Sequence, residues 1–539
     1  MQQASYNRNI LRAAAQLEAL GRPESAVALR KSLGWENLLL AAQPHGPVPD
    51  TRPGPPRSSG IRVAYILDEF STNSFADSFD GLALLPDSWR AQFEKHQPQV
   101  FFCESAWSGA DSARRPWQGK IYASRNFKSE NRGILIDILA HCQKHGIPTI
   151  FWNKEDPTHY EDRVHDFVKT AAMFDHVFTS AAECVQRYRD DYGVQNVDAL
   201  PFATNPRLFN PIEVAPRSDA VIFAGSWYAN HKERSIQMRQ ILDNLRADGH
   251  ELEIFDRYHG DSDPLHQWPE VYQPFLRPAV AHDQVAAVYK RSRFGLNFNT
   301  VTQSRTMFAR RVFELMSSNT LVLSNYSAGM EDFFGDDVIF CDRTPHRLRD
   351  MSSDEIDAMR DRNLHRVLAN HTYRHRWEEM LTRIGMPFQA AEPAITAAIV
   401  IHGRDDALRA ITWFQKEADP ARDRLLLLIS DTVSGLETAT LYQDFNRFGV
   451  SVTAMRHAYT HPIEGHQAPL GTQHYLHADI ADLPRAGWLR RSRLHLAYAP
   501  TAAIFPAGPT DASQPSPAAR TVLTSVTASD AVDAPILRL

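Results

Sequence analysis

The chain is poor in the features that mark an oxidising or membrane environment. Four cysteines, Cys103, Cys142, Cys184 and Cys341, are scattered through 539 residues and no two form a CxxC pair. That excludes a disulfide scaffold and fits buried thiols in a reducing compartment. No apolar run approaches the roughly 18 residues that a membrane span needs. The opening stretch MQQASYNRNILRAAAQLEAL is too polar for a signal peptide. Strong charge of one sign is also missing: 58 basic against 64 acidic side chains leave -6, which argues against a general nucleic-acid binder. Apolar residues are not scarce. With 43% hydrophobic and 23% charged side chains, the composition is that of a folded globular protein. The expectation is a cytoplasmic protein, at most peripheral to the inner face of a membrane.

A chain of this length exceeds what one core organises, so two large domains with appendages are expected. Residues 6–20 and 23–41 read as amphipathic helices broken at Gly21-Arg22-Pro23, a hairpin within 1–45. A linker over 46–60 follows, in a stretch from 42 that holds six prolines. No second copy of the hairpin occurs, so a helical repeat is not supported. From Ile61 short β-rich runs alternate with helical patterns, the mark of a mostly parallel sheet. The expected strands are 61–67, 99–104, 148–153 and 176–180, with a helix over 133–145. Pro201 to Pro211 reads as an extended link. A second series follows, with strands at 220–225, 251–256, 294–299 and 320–325 and helices over 231–247, 283–292 and 306–318. The expected fold class is therefore α/β with two Rossmann-like lobes, 61–212 and 213–390, and a cleft between them. A smaller α/β module is expected over 393–505. Residues 506–539, rich in Ala, Pro, Ser and Thr, read as a flexible tail.

The most informative stretch is 294–334, which supplies strand, loop, helix, strand and loop in a row. On the expected helix Phe308, Val312, Leu315 and Met316 share an apolar stripe, and Thr306, Arg310 and Glu314 recur every four residues on the opposite face. A helix start after the polar loop Thr302-Gln303-Ser304-Arg305 offers free N–H groups to a diphosphate. An acid two turns further on suits the hydroxyls of a ribose. An exposed Arg310–Glu314 ion pair is the competing reading.

Asn299, Ser304, Thr306-Met307, Arg310-Arg311-Val312-Phe313-Glu314 and Ser324-Asn325-Tyr326 resemble the donor-binding core of CgeB-like (spore-maturation-type) glycosyltransferases, relatives of the group-one GT-B families. FWNKEDPTHYED (151–162), FDHVFTS (174–180) and LPFATNPRLFNP (200–211) are similar to that family's acceptor-side lobe and link, and FAGSWYANHKERSIQM (223–238) to the entry of its second lobe. The resemblance spans about 148–340. It implies a GT-B fold and transfer of a sugar from a nucleotide diphosphate sugar, UDP-sugar by expectation, to a glycan, lipid-linked or protein acceptor. It implies no metal and no cofactor. Gly225, Ser226, Lys232, Arg234, Asp256, Ser304, Thr306, Arg310 and Glu314 are the expected donor contacts, with Lys232 and Arg234 the cations for the departing diphosphate. Many group-one relatives carry a glutamate eight residues before the ribose-binding one. Here that position is Thr306, which leaves the donor sugar open.

Asp156 and Glu155 follow the strand PTIFWN, and Asp68 with Glu69 follows the first strand, where strand ends of such sheets face the ligand. Asp156, Glu155 and Asp68 are the expected candidates for a general base, in that order, with His159 behind them. Loop or cap hydrogen bonds are the competing role of each. His259, His266 and His282 lack metal-ligand spacing, and Trp268, Tyr272 and Phe275 read as packing. In the C-terminal module, faintly similar to family-two GT-A enzymes, His477-Ala478-Asp479 stands where a DxD would be, so an accessory role is expected. The N-terminal helices are the expected surface for a membrane or protein partner. An inactive GT-B scaffold and a non-hydrolysing sugar-nucleotide epimerase are the alternatives.

Overall fold

The computed structural model describes residues 55–213, 215–447, 449–455, 472 and 474–500, with Ala13 and the backbones of 503–505, 522–525 and 536–538. The expected helices at 6–20 and 23–41 and most of the linker lie outside these residues. Two compact units result, one spanning Pro55–Ala391 and one built on the chain from Glu392 onward.

The first lobe of the larger unit holds strands β1 (Arg62–Ile66), β2 (Asp80–Ala83), β3 (Val100–Glu104), β4 (Thr149–Asn153), β5 (His176–Thr179) and β6 (Val197–Ala199). They form one parallel sheet in the order β2-β1-β3-β4-β5-β6. All five residues of β3 and of β4 are buried, which is why these strands read as unbroken apolar runs. Successive side chains leave opposite faces. Val63, Phe102, Ile150 and Trp152 enter one core, while Ala64, Phe101, Cys103 and Phe151 enter another on the reverse side. Helices α1 (Glu69–Phe75) and α2 (Ala182–Tyr192) follow β1 and β5.

The second lobe repeats the plan. Strands β7 (Ser218–Ala224), β8 (Leu252–Phe255), β9 (Leu276–Arg277), β10 (Ser292–Asn297), β11 (Leu321–Ser324) and β12 (Ile339–Phe340) run parallel in the order β12-β11-β10-β7-β8-β9. Helix α3 (Lys232–Ala247) follows β7, and α4 (Arg311–Ser317), α5 (Ser353–Asn370) and α6 (Tyr373–Arg383) come later. The fold is thus α/β with two Rossmann-like lobes, as the rhythm of strands and helices indicates.

The chain crosses between lobes twice at one place. The Thr204 N–H donates to the His371 carbonyl at 3.0 Å, and the Tyr373 N–H donates to the Thr204 carbonyl at 2.9 Å. Residues after this crossing, counted with the second lobe by sequence, return to the first. The Tyr373 ring lies 4.6 Å from Phe75 and Trp377 lies 5.0 Å from Phe79. The Trp377 indole donates to the Ser58 carbonyl at 3.0 Å. Gln389 pairs with the start of the unit, its carbonyl accepting from Ser58 N–H at 2.8 Å and its N–H donating to Pro56 at 2.9 Å.

Two expected helices are shorter than their periodicity suggests. The stretch 283–292 gives a 3-10 turn at His282–Gln284, a helix at Val285–Tyr289 and then β10. The stretch 306–318 gives only α4, for reasons that lie in the site.

In the smaller unit, β13 (Ile395–Ile401), β14 (Arg424–Ile429), β15 (Val450–Ala454), β16 (His474–Asp479), β17 (Ala503–Phe505), β18 (Val522–Ser525) and β19 (Ile536–Arg538) form a seven-stranded sheet. β18 pairs antiparallel with β16. The stretch expected to be a flexible tail therefore supplies two strands. The run TVLTSVT has the β-branched character that strands favour. No helix among the described residues is long and apolar enough to cross a membrane.

Candidate functional site

Between the lobes lies a cavity of about 350 Å3, within the size range of small-ligand sites. The first side contributes Phe70, on α1, and Phe202, on the link; the second contributes residues from the carboxyl ends of β7, β8 and β10 onward.

Its basic end forms where β7 runs out. A Cβ on Gly225 would stand 2.5 Å from the Phe223 ring and 3.1 Å from Nη2 of Arg311, so only glycine lets Arg311 lie against this turn. Arg311 in turn sits 5.0 Å over Phe223. Arg234, in the first turn of α3, donates back to the Ser226 carbonyl at 3.3 and 3.4 Å and lies 5.3 Å over Tyr228. Burial, reinforced by the neighbouring Arg311, pushes Arg234 down to about 10. Neither guanidinium forms an ion pair with a carboxylate among the described residues, and Nε of Arg311 and the Ser226 hydroxyl are buried without partners. Donors left so are costly unless an anion accepts from them. Neither Lys232 nor Arg234 lines the cavity itself; Lys232, which opens α3, is exposed, whereas Arg234 is partly buried beside Arg311. We expect Gly225→Ala to displace Arg311 and, by crowding the buried Phe223 ring, to lower the melting temperature. A clear loss of nucleoside diphosphate affinity by calorimetry, at a temperature where the variant is folded, would bear this out; unchanged affinity would refute it.

The other end is acidic and apolar. Glu314, in α4, is 6% exposed and opens onto the cavity. Its close neighbour is His282, with Nε2 3.9 Å from Oε1. Phe255, Val280 and Val285 give this end its apolar wall. Arg310, which caps α4, faces the first lobe: it lies 5.1 Å over Phe202, with Nη1 and Nη2 3.4 and 3.5 Å from the Ser74 and Ser71 hydroxyls. Burial works against its charge, yet Tyr373, Glu314, Glu104 and Glu155 together hold it above the ordinary arginine range.

Ser304 and Thr306 turn away from the cavity. The Thr306 hydroxyl donates to the Ser180 carbonyl and accepts from Ala182 N–H, both at 2.8 Å, and Ser304 donates to Glu183 at 3.0 Å. Met307 N–H goes to the Ser304 hydroxyl and Ala309 N–H to the Asn299 side chain, each at 3.0 Å. These bonds to α2 and to β10's loop replace the first turn of the expected helix. Asp256 is buried, has an unpartnered Oδ1 and lies outside the lining, whereas Arg257 beside it lines the cavity. Trp268 and Tyr272 are core residues.

The three first-lobe acids have different surroundings. Asp68 accepts from the N–H groups of Trp107, Ser108 and Gly109 at 2.9, 2.8 and 3.0 Å, and from Lys154 at 2.8 Å. Burial would raise its pKa, but Lys154 and these backbone donors keep it below the usual carboxylate range. Lys154 also binds the fully buried Glu104 at 2.7 Å. Such a saturated carboxylate holds the loop 107–109 and is a poor base. Asp156 is fully buried, accepting from Asn153, Thr179 and Tyr188 at 2.9, 2.7 and 3.1 Å, and does not reach the cavity. Glu155 keeps 24% of its side chain exposed. One oxygen accepts from the Trp107 indole at 2.9 Å and the other lies 4.0 Å from Nε2 of His159.

Burial pushes Asp156 up from 3.8 to about 7, against the pull of Thr179 and Tyr188. A carboxyl that binds its proton more tightly when folded adds stability below the unfolded value and loses it as pH rises through the folded one. Stability should therefore fall between about 3.8 and about 7 through this group, and Asp156→Asn should remove that part of the slope with little change in turnover. Melting curves across this range test the first half. A well-folded Asp156→Asn variant with turnover lowered about 100-fold would restore a chemical role.

In the smaller unit, His402 lies 3.1 Å from Asp479, which accepts from Ala481 N–H at 2.8 Å. Among the described residues, no group of three His, Cys, Asp or Glu side chains could hold a metal ion. Phe70, His282, Tyr289 and Arg311 belong to the cavity lining and were not singled out as donor contacts by motif. Only Arg311 had a signal, its place inside the Arg-Arg-Val-Phe-Glu run.

Residues 234–382 match the model of a family described as glycosyl transferase-like, so the second lobe holds a glycosyltransferase-like domain. Nothing among curated proteins matches the chain. Among solved structures the chain is similar to an alpha-glucosyltransferase in complex with UDP, at 10% identity over 60% of this chain and 100% of that one, TM-score 0.43. It is also similar to TarM of S. aureus, at 10% identity over 53% and 54%, TM-score 0.33. T4 phage BGT in complex with UDP and Mn2+ gives 12% identity over 60% and 100%, TM-score 0.35.

Proposed function

We propose that the chain is a CgeB-like, nucleotide-sugar-dependent glycosyltransferase that works in the cytoplasm on a glycan, lipid-linked or protein acceptor in cell-surface polysaccharide synthesis. The observation that carries the reading is Arg311, a guanidinium without a carboxylate partner among the described residues, which lines one cavity with Glu314 and has the charge of Arg234 close behind it. A nucleoside diphosphate answers both ends at once: its phosphates supply the missing acceptors and its ribose hydroxyls supply donors for the carboxylate. As the bond from the sugar's anomeric carbon to the phosphate oxygen breaks, its electron pair stays on the diphosphate, where the two arginines stabilise the charge. In this reading the arginines supply the positive charge, without a divalent metal. Glu155, partly exposed and electrostatically coupled to Arg310, is in this reading a better candidate for an acceptor-side carboxylate than the fully buried Asp156.

The test is a titration of the purified chain with UDP, GDP and ADP, followed by donor turnover with and without a chelator. At least one diphosphate should raise the melting temperature in proportion to its occupancy, and turnover should survive chelation. Binding of none would overturn the donor site, and metal-reversible inactivation would overturn the arginine mechanism.

A further inference from the structure

We infer that His282 is a second ligand for the ribose hydroxyl that Glu314 accepts, and that Phe70 of the first lobe holds the imidazole in place for it. The inference rests on the donor reading above and adds a specificity residue to it.

The His282 Nε2 and Glu314 Oε1 atoms are 3.9 Å apart, too far for a hydrogen bond. A single oxygen about 2.8 Å from each fits between them. A hydroxyl suits that position because it donates one hydrogen and still accepts another, giving to the carboxylate and taking from an imidazole N–H. The Nδ1 atom of His282 is buried with no partner, so nothing on that side fixes the ring's proton. Carried on Nε2, the proton gains a partner when the hydroxyl arrives. The ring's orientation comes instead from packing. Phe70 packs against it tilted, with centroids 4.4 Å apart and planes at 36°, and Phe209 of the interlobe link meets it edge-on at 5.9 Å. Phe70 projects from the start of α1, is 44% exposed and lines the cavity. The ribose is thus read by a pair of groups in the second lobe, one of which the first lobe orients.

Calorimetric titrations of the full chain with UDP, 2′-deoxy-UDP and 3′-deoxy-UDP test this, with GDP or ADP and their deoxy forms substituted if UDP is not the nucleotide bound. The parent should prefer the ribonucleotide to at least one deoxy analogue. Both His282→Ala and His282→Phe, the latter keeping the packing against Phe70, should weaken ribonucleotide binding about tenfold and leave that analogue within about twofold, so that the preference shrinks. Phe70→Ala should give a smaller shift in the same sense. Equal weakening of all nucleotides, or an undiminished preference in His282→Phe, would overturn the inference while leaving the donor site standing. A parent that binds no nucleoside diphosphate would overturn the donor site, and this inference with it.

Discussion

Arg311→Ala should lower turnover by about 10²- to 10³-fold, the effect expected when one preorganised donor to a developing oxyanion is lost. The argument is electrostatic. Arg311 and Arg234 lie close enough for Arg311 to help push Arg234 below its ordinary range, so the site holds two repelling charges before any ligand arrives. Charge growing on a leaving diphosphate relieves that repulsion more than the diphosphate ester of the ground state does, and the gain falls mainly on kcat. Arg234→Ala should act in the same direction. Lys232→Ala should do little, since that side chain is exposed to solvent, whereas Arg234 is partly buried and coupled to Arg311. Steady-state kinetics of the three variants decide. A loss confined to KM in Arg311→Ala would mean uniform binding, and a large defect in Lys232→Ala would mean the wrong cation had been chosen.

Glu314→Gln should weaken nucleoside diphosphate binding by about 10- to 100-fold, the worth of charge-assisted hydrogen bonds to ribose hydroxyls. The substitution keeps the shape of a 6%-exposed side chain and changes only its charge and acceptor strength. Free of ligand, the carboxylate has its 3.9 Å contact to His282 and helps offset the buried charge of Arg310, so the variant should melt somewhat below the parent. Calorimetry and melting curves on the same preparations separate the two effects. Unchanged affinity for every diphosphate the parent binds would remove Glu314 from the site.

Much of the fold was legible because parallel strands covered on both sides must be apolar along their whole length. Runs such as VFFCE and TIFWN admit few other readings. The limits of α4 were not legible. Ser304 and Thr306 carry helical spacing in the sequence, but their hydroxyls are committed to Ser180, Ala182 and Glu183 in the other lobe, and no local pattern records a partner more than a hundred residues away. The surroundings of the first-lobe acids were not legible for a finer reason. Glu155 and Asp156 are neighbours beyond a strand end, where adjacent side chains diverge; one meets Trp107 and the other enters the body of the lobe. Their position after a strand end puts both acids at the crevice, and only the backbone path separates them. Phe70 and His282 gave no motif at all, because their significance comes from meeting each other.

The pairing of Gln389 with Pro56 and Ser58 has a consequence for engineering. The entry and exit of the two-lobed unit are one hydrogen-bonded step apart, so the unit is topologically a closed loop of chain. A short peptide joining residues near 389 to residues near 57, with new ends opened in an exposed turn elsewhere, asks almost no loop-closure entropy of the folded state. The same adjacency makes the unit a cassette, able to be inserted into a host loop without prising the host's flanking residues apart.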